Sequence, residues 1–188
     1  MKKRLSDMTL EELWQLFPII LTEHNNEWGK WYEEELTYLK KYLPSNRITH
    51  INHIGSTSID NIWAKPTIDI LVEIRKEYAI QSIKKSALDA GYLLMHEDKK
   101  RLSFNKGYTI QGFSKKVFHL HVHYEGDNDE LYFRDYLRDH ADIAKKYERL
   151  KLSLWKPYEH NRDAYTEKKT DFVKHYSDIA RKAYPDRY

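Results

Sequence analysis

The strongest constraint on the fold is a strict alternation of apolar and polar side chains in one short segment. Residues 68–74 read IDILVEI, with isoleucine or valine at every second position. In a β-strand this period places those four residues on one face and Asp69, Leu71 and Glu73 on the other. Residues 117–124, VFHLHVHY, alternate in the same way. Two such strands predict a sheet with one buried face and one polar face.

Helical patterns flank this β-rich middle on both sides. Apolar residues recur at helical spacing before and after it, and no linker, repeat or low-complexity tract divides the 188 residues. We therefore predict one α+β domain, a mixed sheet with helices packed on one face and a helical C-terminal extension. Its parts are N-terminal helices (1–45), a sheet core (46–126) and C-terminal helices (130–184).

Local signals refine the expected elements. Thr9 and Glu12 form a capping-box pattern that predicts a helix start. Ser56 or Ser58 is a good N-cap for a helix that follows it. Residues 81–90 predict a helix, which is followed by a series of short strands with glycine-marked turns. A single helix is expected over 131–155, and a break at Lys156-Pro157 separates it from the last helix.

Composition excludes several classes of function. The chain has 32 basic and 29 acidic residues, a net charge of +3, and this balance argues against a nucleic-acid partner. Absence of cysteine excludes disulfides, thiolate metal sites and a cysteine nucleophile. No apolar run approaches the roughly 20 residues that span a bilayer, and the N-terminus lacks the apolar region of a signal peptide. We expect a cytoplasmic protein with no membrane partner.

The first candidate site is the turn that precedes the alternating strand. Gly55 lets the backbone approach a ligand closely, and Ser56 and Thr57 follow where N–H groups can bind phosphate oxygens. Asp69 is the residue type that holds Mg²⁺ against phosphates, and Lys65 offers a cation to the same phosphates. The alternative is an ordinary turn beside a solvated lysine and aspartate.

The second candidate site is the row His119, His121 and His123. On one strand face these imidazoles could bind a metal, bind phosphate, or act as a general base or nucleophile. The alternative is an exposed polar face of a half-buried strand. If the strands share one sheet, the histidines and Arg101 converge with the carboxylates of 68–74 on a single open surface.

The C-terminal helices carry a third group of candidates, which could form a basic, tyrosine-lined wall for a nucleotide or could be a solvated face. Its members are Arg134, Arg138, Tyr147, Lys151, Tyr165, Lys168 and Lys169.

Two segments, HIGSTSI at 53–59 and AKPTIDILV at 64–72, resemble the GrpB family. That family reads His-[Ile/Val]-Gly-Ser-Thr-[Ser/Ala] and, after a short spacer, Ala-Lys-Pro-x-Ile-Asp-Ile. The resemblance continues in FHLHVH, FRDYLRDHADIAKKYERLK and AYTEKKTDFV. It covers the chain from about Trp28 to the C-terminus.

GrpB proteins in turn resemble the nucleotidyltransferase superfamily, whose fold is polymerase-β-like. There a Gly-Ser turn binds phosphates while acidic residues on strands hold two metal ions, Mg²⁺ or Mn²⁺. The resemblance implies that Gly55 and Ser56 bind phosphate and that Asp69 is the first acidic ligand. Leu71 departs from the pattern because it stands where the second acid is expected, and a histidine such as His121 would take the third position.

We therefore predict a nucleotidyltransferase-fold protein that binds a nucleoside triphosphate, or another phosphorylated small molecule, with a divalent metal and transfers a nucleotidyl group to an unidentified acceptor. The predicted catalytic residues are Asp69, Glu73 and His121; the predicted metal ligands are Asp69, Glu73, His119 and His121; the predicted phosphate-binding residues are Gly55, Ser56, Thr57, Lys65, Arg101 and Lys151. Two alternatives stay open. One is a catalytically inactive nucleotide-binding or interaction module; the other is a histidine-dependent nucleotide hydrolase, because HLHVHYE nearly matches the histidine-triad strand.

Overall fold

The computed structural model describes residues 3–188, which contain five strands and six α-helices. The strands are β1 (Ile48–Ile54), β2 (Ile68–Ile74), β3 (Leu93–Glu97), β4 (Arg101–Thr109) and β5 (Gly112–Tyr124). The helices are α1 (Leu10–Leu16), α2 (Glu27–Leu39), α3 (Lys84–Asp89), α4 (Asp129–Asp139), α5 (Ala141–Trp155) and α6 (Arg162–Ala183). The sheet has the order β1-β2-β5-β4-β3; β2 and β5 are parallel, and the other three pairs are antiparallel.

The main hydrophobic core covers one face of this sheet. The alternate residues Ile68, Ile70 and Val72 of β2 are fully buried there and pack with apolar residues of β4 and β5. Helix α2 contributes Trp28 and Leu39 to the same cluster, at the helical spacing that the sequence predicts. The predicted α+β fold is confirmed. The other residues of β2, Asp69, Leu71 and Glu73, lie on the opposite face of the sheet.

The C-terminal helices cover part of that opposite face. Leu71 of β2 packs with Ile54 of β1 and Leu131 of α4 in a small, fully enclosed cluster. A second cluster joins Ile59 to Phe133 and neighbouring residues of α4 and α5. Because these helices stand over the β1 side of the sheet, they close one wall of the space above β2 and β5.

The helix expected after Ser56 does not form. Residues 56–58 make a short 3₁₀ turn in which the Ser58 N–H and hydroxyl both donate to the carbonyl oxygen of Gly55. The chain then runs to a β-bridge between Ala64 and Thr22. That bridge draws the backbone away from helical geometry, so a capping residue alone was insufficient to start a helix.

The expected short strands and the single helix over 131–155 are also wrong in detail. β4 runs through Gly107, which has a φ of +93° and lies at a register shift where a Cβ atom would collide with Lys116. The glycine therefore marks a bulge and not a turn. His140 interrupts the helix because its ring Nδ1 donates to the carbonyl oxygen of Tyr136 at 2.9 Å, where a continuing helix would use the backbone N–H.

Within residues 3–188, none of the helices combines the length and the apolar character that crossing a membrane requires.

Candidate functional site

A close approach between Gly55 and Asp69 forms the floor of the site. The antiparallel register pairs Ile54 with Asp69, so Gly55 lies at the end of β1 beside the carboxylate. Gly55 has a φ of +70°, and an added Cβ would overlap Asp69 Oδ2. Glycine is needed here for two reasons, because other residues rarely adopt this φ and because the space is taken. The close approach at Gly55 is to the Asp69 side chain, and the predicted approach to a ligand stays a prediction.

Asp69, His119 and His121 form a compact cluster next to this turn. The parallel register pairs Asp69 with His119, and Asp69 Oδ1 lies 3.1 Å from His119 Nδ1 and 3.4 Å from His121 Nε2. The three ligand atoms lie within 4.8 Å of one another. The Tyr108 hydroxyl lies 2.8 Å from the other ring nitrogen of His119 and fixes the ring orientation.

The carboxylate of Asp69 in this cluster is ionised at neutral pH. Burial by itself raises the pKa of Asp69, but hydrogen bonds from His119 and His121 outweigh it and hold that pKa well below its ordinary value. Burial lowers the pKa of His119 to about 4, against the opposing effect of Asp69, so this imidazole is neutral. A neutral imidazole beside an ionised carboxylate is the protonation state that metal ions bind.

Four cationic side chains surround Asp69 in a cavity of about 240 Å³. They are Lys65, Lys151, Arg162 and Lys169. Gly55, Ser56 and Thr67 line the cavity on the sheet side, and Tyr147 and Tyr165 line it on the helix side. Among the described residues, none of the four cations forms a salt bridge with a carboxylate. The cavity therefore has four basic side chains and one acidic side chain in its lining.

Burial and, to a smaller extent, repulsion between neighbouring cations lower the pKa values of these lysines. Burial, with a smaller effect of Arg162, lowers the pKa of Lys65 to about 7. Burial and the charge of Lys169 lower the pKa of Lys151 to about 7. Burial lowers the pKa of Lys169 to about 8, although Asp69 opposes the shift. An anionic ligand in the cavity would supply the counter-charge that these groups lack.

Glu73 and His123, which were predicted to share the open polar surface, lie outside the cavity. Glu73 is buried, and its Oε1 accepts from the N–H of Gly126 at 3.1 Å and from Asn128 Nδ2 at 3.0 Å. His123 is also buried, and its Nδ1 donates to the carbonyl oxygen of Asp127 at 2.8 Å. The expectation of one open surface is wrong for this end of the strands, because the loop after β5 covers it.

Arg101 and Thr57 support the fold outside the cavity. Arg101 makes a bidentate ion pair with Asp127, at 2.8 Å and 2.5 Å. The Thr57 hydroxyl donates to the carbonyl oxygen of Thr67 at 3.0 Å and lies 3.0 Å from His53 Nε2. Neither residue lines the cavity, so the structure does not bring them to the predicted phosphate site.

The predicted basic, tyrosine-lined wall divides into two groups. The members that line the cavity are Tyr147, Lys151, Tyr165 and Lys169. Arg134 instead donates to the carbonyl oxygen of His53 at 2.9 Å, and Arg138 donates to that of Ser58 at 2.9 Å and 2.7 Å. Lys168 is exposed on α6 and does not line the cavity. Helical spacing predicted the shared faces but not which face meets the sheet.

Arg162 is the most important residue that sequence reasoning missed. It is the first residue of α6, held there because the Asn161 side chain accepts from the Ala164 N–H at 3.0 Å. The Asn161 cap was the available signal, since it fixes where the helix begins. Tyr108, which orients His119, was also missed because the two residues belong to different strands.

The chain matches the model of a known protein family. The family model described as "GrpB protein" matches residues 18–178. The chain belongs to the GrpB family. It is 32% identical over 162 residues to the "Glutamate-rich protein GrpB" of Alkalihalophilus pseudofirmus, covering 82% of this chain and 91% of that protein. It is 34% identical over 154 residues to the "UPF0157 protein YqkA" of Bacillus subtilis, covering 80% of this chain but only 44% of that relative.

Solved structures share the fold of this GrpB chain. The crystal structure of the conserved protein GrpB from Enterococcus faecalis superposes with a TM-score of 0.76 at 31% identity, covering 89% of this chain and all of that one. The Cid1 poly(U) polymerase with MgGTP bound superposes with a TM-score of 0.50 at 10% identity, covering 76% of this chain and 44% of that one. The second likeness shows the fold alone.

The donor set favours some metal ions over others. Mg²⁺ binds oxygen ligands almost exclusively, whereas imidazole nitrogens suit first-row transition metals. Two of the three clustered ligand atoms are imidazole nitrogens. Of the two ions that the family resemblance implies, Mn²⁺ fits Asp69, His119 and His121 better than Mg²⁺ does.

Proposed function

We propose that this GrpB chain binds a nucleoside triphosphate, with the phosphates in the cavity of about 240 Å³ and one divalent metal ion on Asp69, His119 and His121. The observation that carries the proposal is the concentration of four cationic side chains around a single ionised carboxylate at the Gly55–Ser56 turn. A polyphosphate brings the several negative charges that such a cavity would neutralise.

Each part of the cavity has a distinct task in this proposal. Lys65, Lys151, Arg162 and Lys169 attract and hold the phosphate oxygens. Gly55 contributes by lacking a side chain, and Ser56 contributes a hydroxyl group. The carboxylate of Asp69 repels phosphate unless a cation lies between them, so a bound divalent ion would join the two and neutralise charge on the phosphates.

Binding is better supported than transfer. Two-metal nucleotidyl transfer uses a second carboxylate near the first, and Leu71 occupies that position, fully buried against Ile54 and Leu131. The histidine-triad alternative needs its histidines at one site, but His123 lies against Asp127 beyond the cavity. We therefore infer metal-assisted nucleotide binding by one ion.

Isothermal titration calorimetry with inorganic tripolyphosphate and with ATP, each with and without Mn²⁺, tests the proposal on the wild type and on Asp69→Asn. Mn²⁺ should tighten binding to the wild type. Asp69→Asn should lose at least about 100-fold in Mn²⁺ affinity, yet bind tripolyphosphate more tightly without metal, because it removes the one negative charge of the cavity. Asp142→Asn, at a solvent-exposed carboxylate, is the matched control.

The two responses of Asp69→Asn have opposite signs, which separates a metal-binding role from general damage to the fold. Failure of the wild type to bind either polyphosphate refutes the proposal. An undiminished effect of Mn²⁺ in Asp69→Asn refutes the assignment of the metal site.

A further inference from the structure

A larger groove adjoins the cation-lined cavity. Its volume is about 780 Å³, and Lys65, Arg162 and Thr166 line both spaces. The groove lies between α1, the edge strand β3 and the start of α6. One charged boundary therefore separates a small cationic cavity from a large apolar one.

A single row of side chains crosses the sheet beneath both spaces. Pairing across adjacent strands aligns Asp69 with His119, His119 with Asn105, and Asn105 with Leu93. Residues paired in this way point to the same face of a sheet. The metal cluster and the groove are thus neighbouring parts of one surface.

The volumes of the cavity and the groove suit different parts of one ligand. The cation-lined cavity, at about 240 Å³, is smaller than the roughly 300–1,000 Å³ typical of pockets that hold an entire small ligand. It accommodates phosphates but not an attached nucleoside. The groove, at about 780 Å³, is large enough for the remaining part of such a molecule.

The walls of the groove are apolar and aromatic. They include Leu10, Trp14, Phe17, Leu93, Met95 and Tyr108. Leu10, Leu93 and Met95 are about half exposed, at 49%, 50% and 56%, although each is apolar. Helix α1 buries none of its residues, so its apolar side chains do not serve the core. Apolar side chains grouped at a concave surface mark a binding site more often than a chance exposure.

Asn105 places a buried amide group on the sheet side of this groove. Its side chain is buried, with 5% of the residue exposed, and it lines the groove. Its amide Nδ2 has no hydrogen-bond partner among the described residues. A buried amide without a partner is costly, so a ligand that supplies one gains both affinity and orientation.

We infer that the groove binds a heteroaromatic ring system attached to the phosphates that occupy the cation-lined cavity. Trp14 provides an aromatic ring for stacking, next to Phe17, whose ring packs against Tyr108 and Phe113. The Asn105 amide bonds a polar atom of the ligand ring. Lys65 and Arg162 at the shared boundary hold the anionic end. The assignment of the phosphates rests on the proposed function, whereas the assignment of the ring system rests on the groove itself.

Diphosphates that differ only in their organic part provide the test. Pyrophosphate has no organic part, geranyl diphosphate has an aliphatic one, and ADP, GDP and UDP have heteroaromatic ones. We expect the tightest nucleoside diphosphate to bind the full chain at least about tenfold more strongly than either pyrophosphate or geranyl diphosphate, as base stacking implies. Calorimetry at fixed pH and salt gives the ratios.

Variants locate that preference in the groove. Trp14→Ala and Asn105→Ala should each reduce the nucleoside-to-pyrophosphate ratio severalfold while pyrophosphate affinity stays constant. Asn105→Ala should not lower the melting temperature, because the amide Nδ2 has no partner to lose. Leu93→Ala should weaken nucleoside binding, and Leu88→Ala, at a similarly exposed leucine on α3 (43% against 50%), should not.

Several outcomes overturn the inference. These are equal affinity for pyrophosphate and every nucleoside diphosphate, tighter binding of geranyl diphosphate, or ratios that Trp14→Ala and Asn105→Ala leave unchanged. A dimer that Trp14→Ala dissociates would assign the groove to a second copy of the chain and also overturn it.

A second probe separates failure of the inference from failure of the proposed function. The aromatic sulfonate 1-anilinonaphthalene-8-sulfonate carries a ring system and one anionic group, and its fluorescence rises on binding. If no diphosphate binds but this probe does, and Trp14→Ala abolishes the signal, the groove is an aromatic site and only the phosphate proposal fails. Absence of both signals refutes both.

Discussion

The polar face formed by β2 and β5 carries a carboxylate and a histidine at each of its two ends, but the two ends differ in their exposure to a ligand. At one end Asp69 and His119 face a cavity with four cationic side chains. At the other end, four residues along each strand, Glu73 and His123 are buried under the loop after β5. We call the end with Asp69 and His119 the open end, because it faces the cavity. The end with Glu73 and His123 is the closed end, because both side chains are buried.

Strand alternation therefore determines which face of the sheet a side chain occupies, while the elements that follow in the chain decide whether that face is accessible. The Glu73 carboxylate accepts from Gly126 N–H and Asn128 Nδ2, which lie directly after β5 in the chain. The Asp69 carboxylate accepts from two imidazoles on the neighbouring strand. The Glu73 carboxylate therefore fixes the loop after β5, whereas the Asp69 carboxylate lies beside a cavity.

The largest effect is expected from alanine at the glycine of the open end. Gly55→Ala adds strain at a φ of +70° and a collision with Asp69, so the free energy of unfolding should fall by about 3 kcal/mol. Metal and polyphosphate binding should be lost together. Denaturant unfolding and calorimetry measure both effects.

Gly126→Ala at the closed end is the matched control. Gly126 has a φ of +83° but nothing within 4 Å of an added Cβ, so only strain remains, about 1 kcal/mol. Ligand binding should be unchanged. Equal losses of stability in the two variants would contradict the role of the Gly55–Asp69 approach.

Glu73→Ala is expected to affect stability and not binding. The substitution leaves the Gly126 N–H and the buried Asn128 amide without their carboxylate partner, and should lower the free energy of unfolding by about 2 kcal/mol. Tripolyphosphate and Mn²⁺ affinities of the folded variant should match the wild type. A loss of Mn²⁺ affinity comparable with that of Asp69→Asn would restore Glu73 as a metal ligand.

Two adjacent lysines on α6 test which side chains belong to the phosphate site of the open end. Lys169 lines the cavity and its Nζ lies 4.3 Å from the centre of the Tyr165 ring, whereas Lys168 is exposed. Lys169→Ala should weaken tripolyphosphate binding about tenfold, as loss of one charge-assisted hydrogen bond implies, and Lys168→Ala should change it little. Equal effects would indicate general attraction by surface charge instead of a defined site.

The sequence predicted the faces of the sheet strands because alternation is a local property. The outward positions of Asp69 and His119 and the need for glycine at position 55 followed from residues within a few positions of each other. The short turn after Gly55 did not follow, since the bridge between Thr22 and Ala64 joins residues 42 positions apart. Local capping signals carry no information on such a pairing.

The cavity itself depends on still longer separations. Lys65 and Arg162 meet at one boundary although nearly a hundred positions lie between them. Helical spacing placed Tyr147 with Lys151 on one face, but only packing of α5 and α6 over the sheet shows that this face meets the cavity. The groove was not predicted, because its apolar residues come from three separate elements.

Nucleotide binding in the cavity is also expected to depend on pH. In the free protein the pKa values of Lys65 and Lys151 are about 7 and that of Lys169 is about 8, all lowered first by burial. A bound polyphosphate favours the charged lysines and raises these pKa values. At pH 8, where the phosphates of ATP have lost their last proton, binding should therefore take up protons from solution.

The sign follows from linkage. Because the complex binds more protons than the separate partners, affinity should fall as pH rises from about 7 to 9, by about tenfold per pH unit for each proton taken up. Calorimetry of ATP binding at pH 8 in buffers with different ionisation enthalpies counts the protons directly. Lys169→Ala should lower the count, since it removes one titrating group, while Lys168→Ala should leave it unchanged. Proton release, or no exchange at all, would show that the phosphates do not lie among these lysines.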